Sequence, residues 1–168
     1  MPTPHNSSVR SWGLLVGLLV LVFAGLGLWT IHLQAAQARD TIRKHDIEDL
    51  EQALLRYARL QGTYPPDDVP AWCGVLSLES NRPVRDAIEW ALRSDEKYAK
   101  PDKPFPQDPR FSGTARDYFY WKRSPTSVEL LSELEADAND TRDVSPCGSG
   151  QGGNRYDYGI VTTQRSPF

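Results

Sequence analysis

Acidic residues are missing from the first quarter of this chain: none precedes Asp40, and Arg10 is the single basic residue before Arg39. Histidine is scarce, occurring only at positions 5, 32 and 45, so no Ser-His-Asp or Cys-His arrangement can be assembled within the globular part itself. There are two cysteines, Cys73 and Cys147, and each is better explained by the other than as a nucleophile. Clustered basic charge is also lacking. The net charge is −3 and all 22 acidic residues lie beyond Gln34, which leaves no field to attract nucleic acid. The stretch Gly148-Ser149-Gly150-Gln151-Gly152-Gly153 has no Lys-Ser/Thr ending and no following helix, so it is not a phosphate loop. Internal repeats are absent. No cofactor and no enzymatic activity are expected.

What is present begins with an apolar run. From Gly13 to Ile31 the sequence GLLVGLLVLVFAGLGLWTI carries no charge, and as a helix it would be about 28 Å long, close to the hydrocarbon thickness of a bilayer. Trp12 and Trp29 stand near its two ends, where indole rings favour the headgroup boundary. The spacing Gly13-x-x-x-Gly17 would let a second helix approach closely; the alternative is that glycine is simply common in membrane helices. From Gln34 the character changes. Ile47, Leu50, Leu54 and Tyr57, with Ala53 and Ala58 beside them, make one apolar stripe on a helix that Gly62 caps and Pro65 and Pro66 stop. The expected organisation is a cytoplasmic stub over 1–11, a transmembrane helix over 12–33 and an extracytoplasmic domain over 34–168.

Orientation is contested by the flanking charges. Arg39, Arg43 and Lys44 follow the apolar run and only Arg10 precedes it, which by a literal positive-inside count puts the domain in the cytoplasm. Two arguments oppose that count: long domains translocate largely regardless of flanking charge, and an even cysteine pair in a small domain suits an oxidising compartment. A Cys73–Cys147 disulfide would be worth about 4 kcal/mol in the chain-entropy account; two unrelated buried thiols are the alternative. Ala36-Gln37-Ala38 has the small-x-small form of a signal-peptidase site, but the apolar run exceeds the roughly 7–15 residues usual for a signal core, and it reads as a permanent anchor.

After Pro66 a loop runs through Trp72 and Cys73. Asn81 is placed to cap a second, short helix with Pro83 in its first turn and Val84, Ala87, Ile88, Ala91 and Leu92 on one face, ending by Lys100. Four prolines between Pro101 and Pro109 make regular structure improbable there. Three strands are expected: Asp117 to Lys122, Val128 to Leu134 and Tyr156 to Thr162. The middle one also suits a helical turn on its leucines.

The order of these elements resembles the type IV pilins and the pseudopilins of type II secretion. The resemblance rests on an apolar helix running into Asp46-Ile47-x-x-Leu50-x-x-Ala53-Leu54-x-x-Tyr57, the Gly62-x-Tyr64-Pro65 junction, Phe105-Pro106-x-Asp108-Pro109, Tyr118-x-Tyr120 and the Leu-Glu ending of Val128 to Glu135. It covers roughly Ile31 to Glu135. It implies an α+β fold in which a long N-terminal helix, transmembrane and then amphipathic, packs across a small antiparallel sheet, and it favours the strand for the middle segment. It further implies a single-pass protein of the cytoplasmic (inner) membrane, in contact with the lipid bilayer and associating with itself or with pilin or secretion-machinery proteins through the N-terminal helix. The departure is the processing site. Family members carry a glycine, a hydrophobic residue and Thr-Leu-x-Glu; here, with Gly13 as that glycine, Leu18 stands in the glutamate's place. A surface-anchored binding or adhesion domain that never polymerises is the alternative.

Two groups of acidic residues lie in loops. Asp67 and Asp68 are of the residue type used in glycan hydrolysis, but adjacent aspartates in a loop read as solvated. Asp137 to Asp143 spaces oxygen ligands closely, and some pseudopilins bind calcium in a C-terminal loop; no glycine sits at the turn, no distal Glu follows, and Arg142 lowers the negative potential. No metal is assigned.

Overall fold

The structure, a computed structural model, describes residues 7–95, 98–99, 104–111, 117–136, 156 and 158–163. One helix, α1 (Ser7–Gln61), takes up 55 residues and is about 80 Å long. It starts inside the segment expected to be an unfolded stub. No proline separates Pro4 from Pro65, so nothing stops the apolar helix from propagating back past Trp12. It ends as expected: Gly62 adopts φ 78° and its N–H donates to the Ala58 carbonyl at 2.8 Å, the single-bond left-handed cap that glycine enters without a Cβ penalty.

The two halves of α1 differ in surroundings. From Leu15 to Gln34 every residue is exposed, and α1 is, among the described residues, the helix long and apolar enough to cross a membrane. In the second half the stripe is buried: Ile47, Leu50, Ala53, Leu54 and Ala58 are inaccessible.

Strands β1 (Trp72–Val75), β2 (Phe119–Ser124), β3 (Ser127–Ser132) and β4 (Tyr158–Thr163) form an antiparallel sheet in the order β1-β2-β3-β4. The fold is thus α+β, a long N-terminal helix laid on a small antiparallel sheet. The leucine-rich middle segment is a strand, in register Tyr120↔Leu130 with β2 and Leu130↔Ile160 with β4. Alternation then sorts the side chains. Tyr120, Val128, Leu130 and Ile160 face α1 and join its stripe in one core. Phe119, Leu131 and Tyr156 form a second cluster on the other face, with Cys73, Val75 and Trp121 packed against it.

Two local expectations need correction. The stretch through Trp72 and Cys73, read as loop, contains edge strand β1, paired Cys73↔Trp121 and Gly74↔Tyr120. Asn81 precedes α2 (Arg82–Arg93) at the cap position, but its side chain makes no cap hydrogen bond. Its amide instead donates to the Val75 carbonyl at 2.7 Å, closing the end of β1. That contact needs Gly74, where a Cβ would lie 2.6 Å from Asn81 Nδ2. Pro83 sits in the first turn and Val84, Ile88, Ala91 and Leu92 are buried, as the spacing predicts.

Candidate functional site at the helix exit

Past the apolar segment α1 keeps its inward register and changes its chemistry. Asp40, Arg43, Ile47, Leu50 and Leu54 follow one another at helical spacing, and all are buried. The first two are charged, so the core continues toward the apolar segment as an ionic layer.

Arg43 is its centre, with a side chain only 1% exposed. Its Nε donates to Asp108 Oδ2 at 2.7 Å and its Nη2 to Asp108 Oδ1 at 3.0 Å, a two-pronged match of planar guanidinium to carboxylate. Nη1 donates to Asp40 Oδ1 at 2.7 Å, and Nη2 also lies 2.7 Å from Glu135 Oε1. Glu135 is gripped further by Arg39, at 2.9 and 2.6 Å, and by Arg110 at 3.0 Å on the rim. Asp40 in turn accepts the backbone N–H groups of Glu135, at 2.9 Å, and Ala136, at 2.7 Å. Asp108 accepts the Arg110 N–H at 2.7 Å, and its own N–H donates to Asp117 at 3.1 Å. Two chain segments distant in sequence, around Asp108 and around Glu135, are thereby tied to one turn and a half of α1.

The electrostatics follow from this geometry. Burial opposes the charge on Arg43, but hydrogen bonds to Asp108, Glu135 and Asp40 outweigh it and leave its pKa raised. The Arg39 hydrogen bond, against a smaller desolvation cost and with help from Arg43, draws Glu135 down to about 2. Asp117 moves the other way: desolvation raises its pKa despite hydrogen bonds from the Asp108 and Tyr118 backbone. Held ionised by its arginines, Glu135 is a poor proton donor at neutral pH. The arrangement fastens the segments around Asp108 and Glu135 to α1.

A second set of contacts fixes the far end of α1. The Tyr120 hydroxyl donates to the Pro65 carbonyl and the buried Lys122 amine to the Pro66 carbonyl, each at 2.6 Å. Desolvation lowers the Lys122 pKa, against the pull of Asp67 and Asp68.

Among the described residues, those singled out from sequence do not converge. Gly13 and Gly17 lie in α1, and a Cβ on Gly17 would meet nothing within 4 Å. Cys73 is half-buried in β1, while Cys147, its expected partner, lies outside the described residues, as do His5 and the Asp137 to Asp143 loop. His32 and His45 are exposed on α1. Asp67 and Asp68 are exposed, and Asp67 accepts the Tyr57 hydroxyl at 2.9 Å. The ionic layer itself was missed. Its signal was the continuation of the buried stripe backward from Ile47 to Arg43 and Asp40, which the reading of Arg39 and Arg43 as membrane-flanking charges obscured.

Comparison with protein-family models, with curated proteins and with solved structures returns no match.

Proposed function

We propose that the protein is a membrane-anchored, pilin-like structural subunit of a type IV pilus or type II secretion-like assembly. The observation that carries this reading is the asymmetry of α1. One unbroken helix has a bilayer-length apolar half that is exposed among the described residues and a second half fastened into a sheet by the Arg43 cluster. Such a helix presents its free half to lipid or to the corresponding halves of other subunits. The domain stands outside the cytoplasm, on the cytoplasmic membrane, and a Cys73–Cys147 disulfide closes its C-terminal loop. Its role is structural rather than catalytic: Asp40, Asp108 and Glu135 are occupied by arginines, and Asp67 by Tyr57.

One observation favours a second reading, an anchored binding domain that does not polymerise. No carboxylate precedes Asp40, so nothing in the apolar segment can pair with a neighbour's amino terminus. The N-terminal residue of the mature protein, determined by mass spectrometry on material from membranes, separates the two. A chain beginning at Leu14, just after Gly13, supports the assembling subunit; an intact start at Met1 refutes processing and leaves the fixed anchor.

A further inference from the structure

Four tyrosines in or against the core that holds the α1 stripe set their hydroxyls on an acceptor: Tyr57 on Asp67, Tyr98 on Asp49, Tyr118 on Asp46 and Tyr120 on the Pro65 carbonyl. Tyr64 differs. Its side chain is fully buried in the same core, and its hydroxyl oxygen has no hydrogen-bond partner among the described residues. A hydroxyl taken out of water without a partner is costly, and such groups are rare in folded proteins. The residue is not free to turn toward one. Its own N–H donates to the Pro125 carbonyl at 3.1 Å, and the two prolines that follow it are held through their carbonyls by Tyr120 and Lys122.

The charged group that acts on this phenol is Glu51. It lies on α1 one turn from both Ile47 and Leu54, is half-buried, and accepts the Thr162 hydroxyl on its Oε1. Burial first, and then the Glu51 charge, push the Tyr64 pKa up, so the carboxylate is within electrostatic reach of the hydroxyl without a hydrogen bond between them. We propose that one buried water joins the two, accepting a hydrogen bond from the Tyr64 hydroxyl and donating one to Glu51 Oε2. Its second O–H is taken by the Thr162 oxygen, which still has acceptor capacity while its own proton is on Glu51. Three polar partners are what a buried water commonly has. The half-buried side of Glu51 gives it a route in from solvent. Such a water ties three elements together: α1 through Glu51, the junction after α1 through Tyr64, and β4 through Thr162. The site is the same for an assembling subunit and a fixed anchor, so it stands apart from the choice between them.

The test is magnetic relaxation dispersion of the water oxygen nucleus on the full chain in detergent micelles, which counts long-lived internal waters and is blind to exchanging hydroxyl protons. Tyr64→Phe keeps the ring and removes only the hydroxyl. It should lose one long-lived water relative to the native protein and melt at least about 3 °C lower. Glu51→Met removes the acceptor while keeping helix propensity and much of the side-chain volume, and it should lose the same water. The double variant should therefore lose no more than either single one. An unchanged count in either single variant would overturn the proposal, as would a second water lost in the double. So would a Tyr64→Phe protein that melts less than about 3 °C below the native one, or above it, which is the behaviour of a hydroxyl buried dry.

Discussion

Replacing Arg43 with methionine is the most direct perturbation of the layer that joins the sheet to α1. Methionine keeps much of the buried volume and the helix propensity while deleting the contacts to Asp108, Asp40 and Glu135 at 2.7–3.0 Å. The carboxylates do not suffer equally. Asp40 retains the N–H groups of Glu135 and Ala136, and Glu135 retains Arg39 and Arg110. Asp108 loses both of its guanidinium bonds and keeps only the Arg110 N–H. Removing one partner of a buried ion pair costs about 3–5 kcal/mol, and because two of the three carboxylates stay partnered the low end, about 3 kcal/mol, is expected. For a domain of this size that is a fall in Tm of about 10 °C, measurable by near-UV circular dichroism on the full chain in micelles. The double variant Arg43→Met/Asp108→Leu should recover part of the loss, because it also removes the stranded charge. A single variant melting within about 2 °C of the native protein would refute the reasoning, as would a double variant less stable than the single.

Two further expectations concern other parts of the same structure. Glu135, with its pKa lowered to about 2, contributes stability that is complete above its unfolded value of about 4.3 and is lost as pH falls toward the folded one; Glu135→Gln should therefore melt below the native protein at pH 7, with a gap that narrows across that window in a Tm-against-pH series, and a gap constant with pH would contradict this. Gly74→Ala puts a Cβ 2.6 Å from Asn81 Nδ2 and 3.0 Å from the Trp72 ring, and chemical denaturation should show a loss of about 1–3 kcal/mol; an unchanged midpoint would mean that Asn81 is free to move.

Where the sequence signal was long and periodic it was readable. The stripe from Ile47 to Ala58, its glycine cap and the apolar run before it are each carried by many residues whose spacing agrees, and they define α1 and the face that meets the sheet. Strand β1 was not readable because Trp72–Val75 is too short to show alternation, and its pairing is decided by β2, far along the chain. Asn81 misled for a related reason: a capping residue type was present, but the Val75 carbonyl, brought near only by the fold, claims its side chain. The ionic layer failed as a reading because its partners come from three segments. Arg43 pairs with Asp108 across 65 positions and Arg39 with Glu135 across 96, and no local pattern announces such a match. Phe105-Pro106-x-Asp108-Pro109 drew notice as a loop signature; its aspartate is the counter-ion that lets Arg43 be buried.

The unbroken course of α1 sets an angular relation between its apolar half and the domain. An α-helix turns about 100° and advances about 1.5 Å per residue, so the azimuth of the sheet relative to the apolar half is fixed by the number of residues between them. One extra residue near Ala36 would leave the domain folded and swing it through about 100°, whereas four would nearly restore its heading at a standoff about 6 Å greater. Rotation and lift of the apolar half therefore reach the sheet together, like the motion of a bolt whose head is held by Arg43.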